Sequence, residues 1–122
     1  KPSTHKTYIM TQLSIKPGNF FICGPITADL LAAEKEFHSK EEVLNSYGCN
    51  TINQFMLYKA SGLNLETLKY TIMHMIGCNT IVTLPYWANC EFAKKQVEVA
   101  RLLGLDVVDY SKLVLHLTEK QA

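Results

Sequence analysis

Two short apolar runs, each stopped by a proline, constrain this chain more than anything else in it. Asn19-Phe20-Phe21-Ile22-Cys23 runs into Gly24-Pro25, and Thr80-Ile81-Val82-Thr83-Leu84 runs into Pro85. Runs this short and apolar, without polar alternation, read as strands buried on both faces. Proline ends them because it has no amide to give to a ladder. Elsewhere the period becomes helical. Between about Thr27 and Tyr47, Leu30, Leu31, Phe37, Val43 and Leu44 recur at spacings near three and four, with Glu34, Lys35, Glu36, Lys40 and Glu41 among them. Thr27 is placed to cap that helix, Asp29 suits its positive first turn, and Gly48 suits the left-handed position after its end.

Residues 49–53 read as a second short strand, followed by a loop over 54–62. A helix is predicted over 65–77, where Leu65, Leu68, Ile72, Met75 and Ile76 share a face. Another is predicted from about Asn89 to Leu103, closed by Gly104. Val107-Val108 marks a fourth strand over 105–110, and residues 113–117 fit either a strand or a short helix. Strands alternating with helices predict an α/β chain: a single doubly wound domain, flavodoxin-like or Rossmann-like, with a parallel sheet of four to five strands. That domain is assigned to residues 19–122. Residues 1–18 are mixed and weakly basic, with one candidate extended piece over 8–15 before the Pro17-Gly18 turn, and read as an N-terminal arm or edge strand.

Composition narrows the function classes. A chain of 122 residues has a common single-domain size and buries roughly two-thirds of its unfolded surface. A 48% hydrophobic fraction with a net charge of +1 argues against disorder. Twelve Lys and Arg scattered among eleven acids make no basic stripe, so no nucleic-acid partner is expected. No run of about 18 apolar residues is present to span a membrane, and residues 1–18 lack the apolar core of a signal peptide. The chain opens on Lys1 rather than Met, as a trimmed or processed end would. Cys23, Cys49, Cys78 and Cys90 form no C-x-x-C pair and sit in or beside apolar segments. They are expected to be structural thiols in a reducing cytoplasm, with no metal site and no cofactor. His74 has no metal-spaced partner, and His5, His38 and His116 are dispersed.

Ligands of open α/β sheets bind beyond the carboxyl ends of the strands. Four segments meet at that edge: residues 24–27, 53–58, 85–91 and the loop after Val108. At about 100° per residue, Phe92, Ala93, Gln96, Val97, Val99, Ala100 and Leu103 form one face of the last long helix, with Gln96 near its centre. Lys94, Lys95, Glu98 and Arg101 lie opposite. A carboxamide on such a face is either a structural hydrogen-bonding residue or a ligand contact. Trp87 either stacks on a base or plugs the core. Asn89 either caps the helix or faces the pocket, and Glu91 either complements the helix dipole or is the carboxylate left for chemistry. Gly24 and Thr27 offer an amide and a hydroxyl to an anion, or simply join strand to helix.

The run from Phe20 to Thr27, with Gly24 and Pro25 closing the strand, resembles the opening strand and loop of the nucleoside 2-deoxyribosyltransferase-like superfamily, in particular its small bacterial and phage branch of unassigned function. Asn53 is similar to an asparagine at the end of the second strand of relatives. Leu84-Pro85-Tyr86-Trp87-Ala88-Asn89-Cys90 resembles their leucine-proline-glycine-tryptophan turn and the polar segment after it. The likeness spans roughly residues 19–110. It implies a pocket for a nucleoside- or nucleotide-like small molecule at Gly24, Pro25, Thr27, Asn53, Trp87 and Asn89, and a homo-oligomer whose neighbouring subunits close each other's pockets.

In active relatives, a glutamate on the helix after that turn attacks or supports the anomeric carbon of an N-glycoside. Gln96 stands at the matching position. Positive charge develops on the sugar, and only an acid forms the glycosyl ester, so a neutral carboxamide is expected to weaken that step severely. Relatives also carry aspartates where this chain has Thr71 and Asn79, and a glycine where it has Phe92. Three functions follow: a ligand-binding domain with weak or absent catalysis, an active N-glycoside hydrolase or deoxyribosyltransferase using Glu91 or another carboxylate, or a non-catalytic interaction protein.

Overall fold

A computed structural model describes residues 18–61 and 65–121. Of the expected arm, residues 1–17 lie outside the described residues. Four strands, β1 (Asn19–Cys23), β2 (Asn50–Asn53), β3 (Thr80–Thr83) and β4 (Asp106–Asp109), pair in parallel in the order β2-β1-β3-β4. The described residues also form five α-helices, α1 (Leu30–Ser46), α2 (Gln54–Ser61), α3 (Leu65–Ile76), α4 (Glu91–Leu102) and α5 (Tyr110–Gln121). This is the expected doubly wound α/β domain. None of its described helices is long and apolar enough to cross a membrane.

The lack of polar alternation in β1 and β3 has a direct cause, because helices cover both faces of the sheet. Phe20, Ile22, Val82 and Val108 point toward α1 and α5, where they meet Ala33, Phe37, Leu44 and Leu113. Phe21, Cys23 and Ile81 point the other way, to Met75 of α3 and to Ala93, Val97 and Ala100 of α4. Each fully buried aromatic or aliphatic side chain stabilises the fold by roughly 1.5–3 kcal/mol.

Several local expectations are corrected. Asp29, not Thr27, caps α1: its carboxylate accepts from the Ala32 amide at 3.1 Å. The buried stripe of α1 is Ala33, Phe37 and Leu44, whereas Leu30, Leu31 and Val43 are exposed. Residues 54–61 are helical rather than a loop, because Asn53 Oδ1 accepts from the Phe55 amide at 2.8 Å and turns the chain straight from strand into helix. The segment around 113–117 is helix, part of α5. Ile76 and Leu103, expected on buried faces, are exposed. Gly48 follows the end of α1 with φ +86, the left-handed conformation expected of it.

The chain passes from β1 through α1 to β2, then returns across β1 to β3. Strand order therefore reverses between β1 and β3. The crevice beyond their carboxyl ends is the topological switch point of the sheet.

Candidate functional site

At the switch point, β1 and β3 run on past their paired residues, and the Leu84 amide donates to the Cys23 carbonyl at 2.8 Å. A Cβ on Gly24 would lie 2.8 Å from Leu84 Cβ. Only glycine allows the two strand ends so close. The Gly24 amide donates to Oε1 of Gln54, the first residue of α2, at 3.0 Å. From the other side, Gln96 of α4 offers its Oε1 to the Cys23 thiol, with Sγ at 3.2 Å.

Two carboxamides thus hold consecutive residues at the end of one strand. Burial pushes the Cys23 thiol far above the ordinary thiol range, with nearby Cys90 adding to the effect. It therefore stays protonated and serves as the donor. Gln54 and Gln96 have no accessible surface, and neither Nε2 has a hydrogen-bond partner among the described residues. An unpaired buried donor of this kind costs about 1–3 kcal/mol.

Parallel pairing places Cys23, Thr83 and Asp109 in one row across β1, β3 and β4. Beyond that row opens a cleft of about 300 Å³, lined by residues 83–87 and 109–111. Thr83 Oγ1 donates to Asp109 Oδ1 at 3.0 Å, which fixes the carboxylate at the cleft wall. Three aromatic side chains, Tyr86, Trp87 and Tyr110, share the lining.

Tyr86 takes φ +67 and ψ +15, a left-handed conformation, while remaining 77% exposed. A residue with a Cβ pays roughly 1–2 kcal/mol for that conformation. Replacing Tyr86 by glycine is therefore expected to stabilise the protein by roughly 0.5–1 kcal/mol after the extra chain entropy of glycine is subtracted. Urea denaturation checks this, and a less stable variant would refute the strain.

Most of the residues that build this edge fall within a family match. A model described as Domain of unknown function (DUF4406) aligns with residues 18–109. The chain belongs to the DUF4406 family. The DUF4406 match runs from the turn before β1 to the last residue of β4, so it contains both carboxamides, Trp87 and Asp109. Tyr110, Ser111 and the rest of α5 lie beyond it. Comparison with curated proteins finds no match to this DUF4406 chain.

The site residues named from sequence divide into groups. Gly24 and Gln96 both lie at the end of β1, held to Gln54 and to Cys23 respectively, and neither lines the cleft. Asn53 is buried on the next strand, and its polar atoms are engaged by the Phe55 amide and by Glu41, to whose Oε1 its Nδ2 donates at 3.2 Å. Trp87 lines the cleft. Pro25 is half-buried, and Thr27 is exposed, with its hydroxyl donating to the Asp29 carbonyl at 3.2 Å.

Asn89 closes a 3-10 turn (Trp87–Asn89) and is exposed. The cap position of α4 falls on Cys90, without a side-chain cap bond. Glu91 is 81% exposed and paired with Lys94 at 3.0 Å. Sequence reasoning placed residues 53–58 and those after Val108 at this edge of the DUF4406 chain, but it singled out neither Gln54 nor Asp109, whose partners, Gly24 and Thr83, lie at the ends of other strands.

Proposed function

We propose that this DUF4406 domain binds a nucleoside-type small molecule, a flat heterocycle joined to a hydroxylated sugar, beside its switch point, without the carboxylate displacement chemistry of active deoxyribosyltransferase-like enzymes. The observation that carries the proposal is the cleft lined by Tyr86, Trp87 and Tyr110 together with Asp109, whose carboxylate accepts from Thr83. Aromatic faces suit a planar ring. An ionised carboxylate accepts from sugar hydroxyls. The volume is at the lower end for small-molecule pockets, suiting one ring and one sugar rather than a dinucleotide. The resemblance of the Gly24-Pro25 and Leu84 to Trp87 segments to the nucleoside 2-deoxyribosyltransferase-like superfamily supports the same ligand class.

The chemical half rests on position 96, where an enclosed carboxamide bonded to Cys23 replaces an acid, and on Glu91, which is engaged by Lys94 at the helix surface. Trp87 is the sole tryptophan, so its fluorescence reports directly on the cleft. Titrating nucleosides, their monophosphates and dinucleotides is expected to show saturable binding of at least one nucleoside or monophosphate, without release of free base. Failure of every compound to bind would end the reading. Turnover by the unaltered protein would end its chemical half alone.

A further inference from the structure

Resting on the nucleoside reading above, we infer that Asp109 makes the cleft select unphosphorylated ligands, so that a nucleoside is held and its 5′-monophosphate is turned away. None of the described residues lining the cleft is Lys or Arg, and Asp109 is the one acid among them. Its charge is held in place by the sheet. Thr83 and Asp109 are register partners on adjacent strands, and the Thr83 hydroxyl donates to the carboxylate at 3.0 Å.

Helix α5 begins at the next residue, Tyr110, and a helix N-terminus ordinarily favours an anion. Here a carboxylate already stands at that end. Among the described residues, Thr83 is its sole hydrogen-bond partner, so it is not consumed in capping the α5 amides. Lys40 lies 5.1 Å from the centre of the Tyr110 ring, but it is itself paired with Glu36 at 3.7 Å.

A phosphate carries close to two negative charges at neutral pH. Beside a carboxylate held in place by Thr83, those charges are repelled, most strongly at low salt. A sugar hydroxyl instead brings a donor to the same oxygens. The polarity of the site thus favours the alcohol over its phosphate ester.

The test titrates adenosine, 2′-deoxyadenosine, cytidine and thymidine, each beside its 5′-monophosphate, into the unaltered protein and into Asp109→Asn and Asp109→Ser, reading Trp87 fluorescence and heat. At low salt the unaltered protein is expected to bind the preferred nucleoside at least about tenfold more tightly than its monophosphate. Both variants should shrink that gap to about twofold or less, by weakening the nucleoside's hydroxyl contact as well as by gaining the phosphate ester, and added salt should narrow it in the unaltered protein alone. Asp109 is exposed, so both variants should melt near the unaltered protein.

Equal or tighter binding of the monophosphate, or a gap that persists in both variants, overturns the inference while leaving the nucleoside reading intact. Failure of all the compounds to bind sinks that reading, and this inference with it.

Discussion

Changing Gln96 to glutamate is expected to destabilise the protein by about 2–4 kcal/mol at pH 7 and by far less near pH 4. The side chain has no accessible surface, its one partner is a neutral thiol, and its Nε2 position has no partner among the described residues. An acid placed there has no cation to offset its desolvation, so its folded-state pKa rises above the unfolded value of about 4.3. The sign follows. Below about pH 4.3 both states hold the proton and the cost is small. As the pH climbs, the unfolded state releases the proton first, so stability falls until the pH reaches the folded-state pKa and the loss levels off.

Urea denaturation of Gln96→Glu beside the unaltered protein at several pH values measures this difference. Gln96→Leu is the control. It removes both the Cys23 bond and the orphaned amide, and is expected to stay within about 1 kcal/mol of the unaltered protein. If Gln96→Glu proves as stable as the unaltered protein at pH 7, position 96 reaches water. It would then be open to a ligand, and the catalytic reading would regain its ground.

Gly24→Ala is expected to cost about 2–3 kcal/mol. The added methyl would sit 2.8 Å from Leu84 Cβ, an atom fixed to the backbone of the neighbouring strand end, so no side-chain rotation relieves the contact. The strand ends themselves must part, straining the Leu84 to Cys23 backbone bond and the Gly24 to Gln54 bond together. Because the contact begins at Cβ, Leu84→Ala relieves only its outer part, at 3.2 Å from Cγ and Cδ1. The double variant should therefore be more stable than the sum of the two single losses by roughly 0.5–1 kcal/mol. Strict additivity in chemical denaturation would show that the clash is absorbed elsewhere.

The parts of the fold visible in the sequence were those written in contiguous residues. β1 and β3 announce themselves as apolar runs with proline stops, and the buried face of α4, Gln96 included, follows from helical spacing alone. The stripe of α1 was misread because large residues at its start, Leu30 and Leu31, outweighed the small Ala33 that faces the sheet. Helix α2 was hidden by its abrupt start: Asn53 serves both as the last residue of a strand and as the anchor of a helix, with no linker to mark the change. The Leu113 to Leu117 stretch has alternating apolar residues that suit either period, and only packing of Leu113 against the sheet resolves it as helix.

The site was less legible because its partners are far apart in the chain. Cys23 meets Gln96 across 73 positions, and Thr83 meets Asp109 across 26. Those pairings depend on strand register, which local spacing does not encode.

The position of β1 between β2 and β3 also sets the order of assembly. Its second partner, Thr80 to Thr83, pairs with Phe20 to Cys23 sixty residues upstream. Parallel neighbours have no hairpin to zip from, and closing so large a loop precedes any reward from the contact. On a chain emerging from the ribosome, β1 must therefore wait, its β3 edge unpaired, until some sixty further residues have been synthesised.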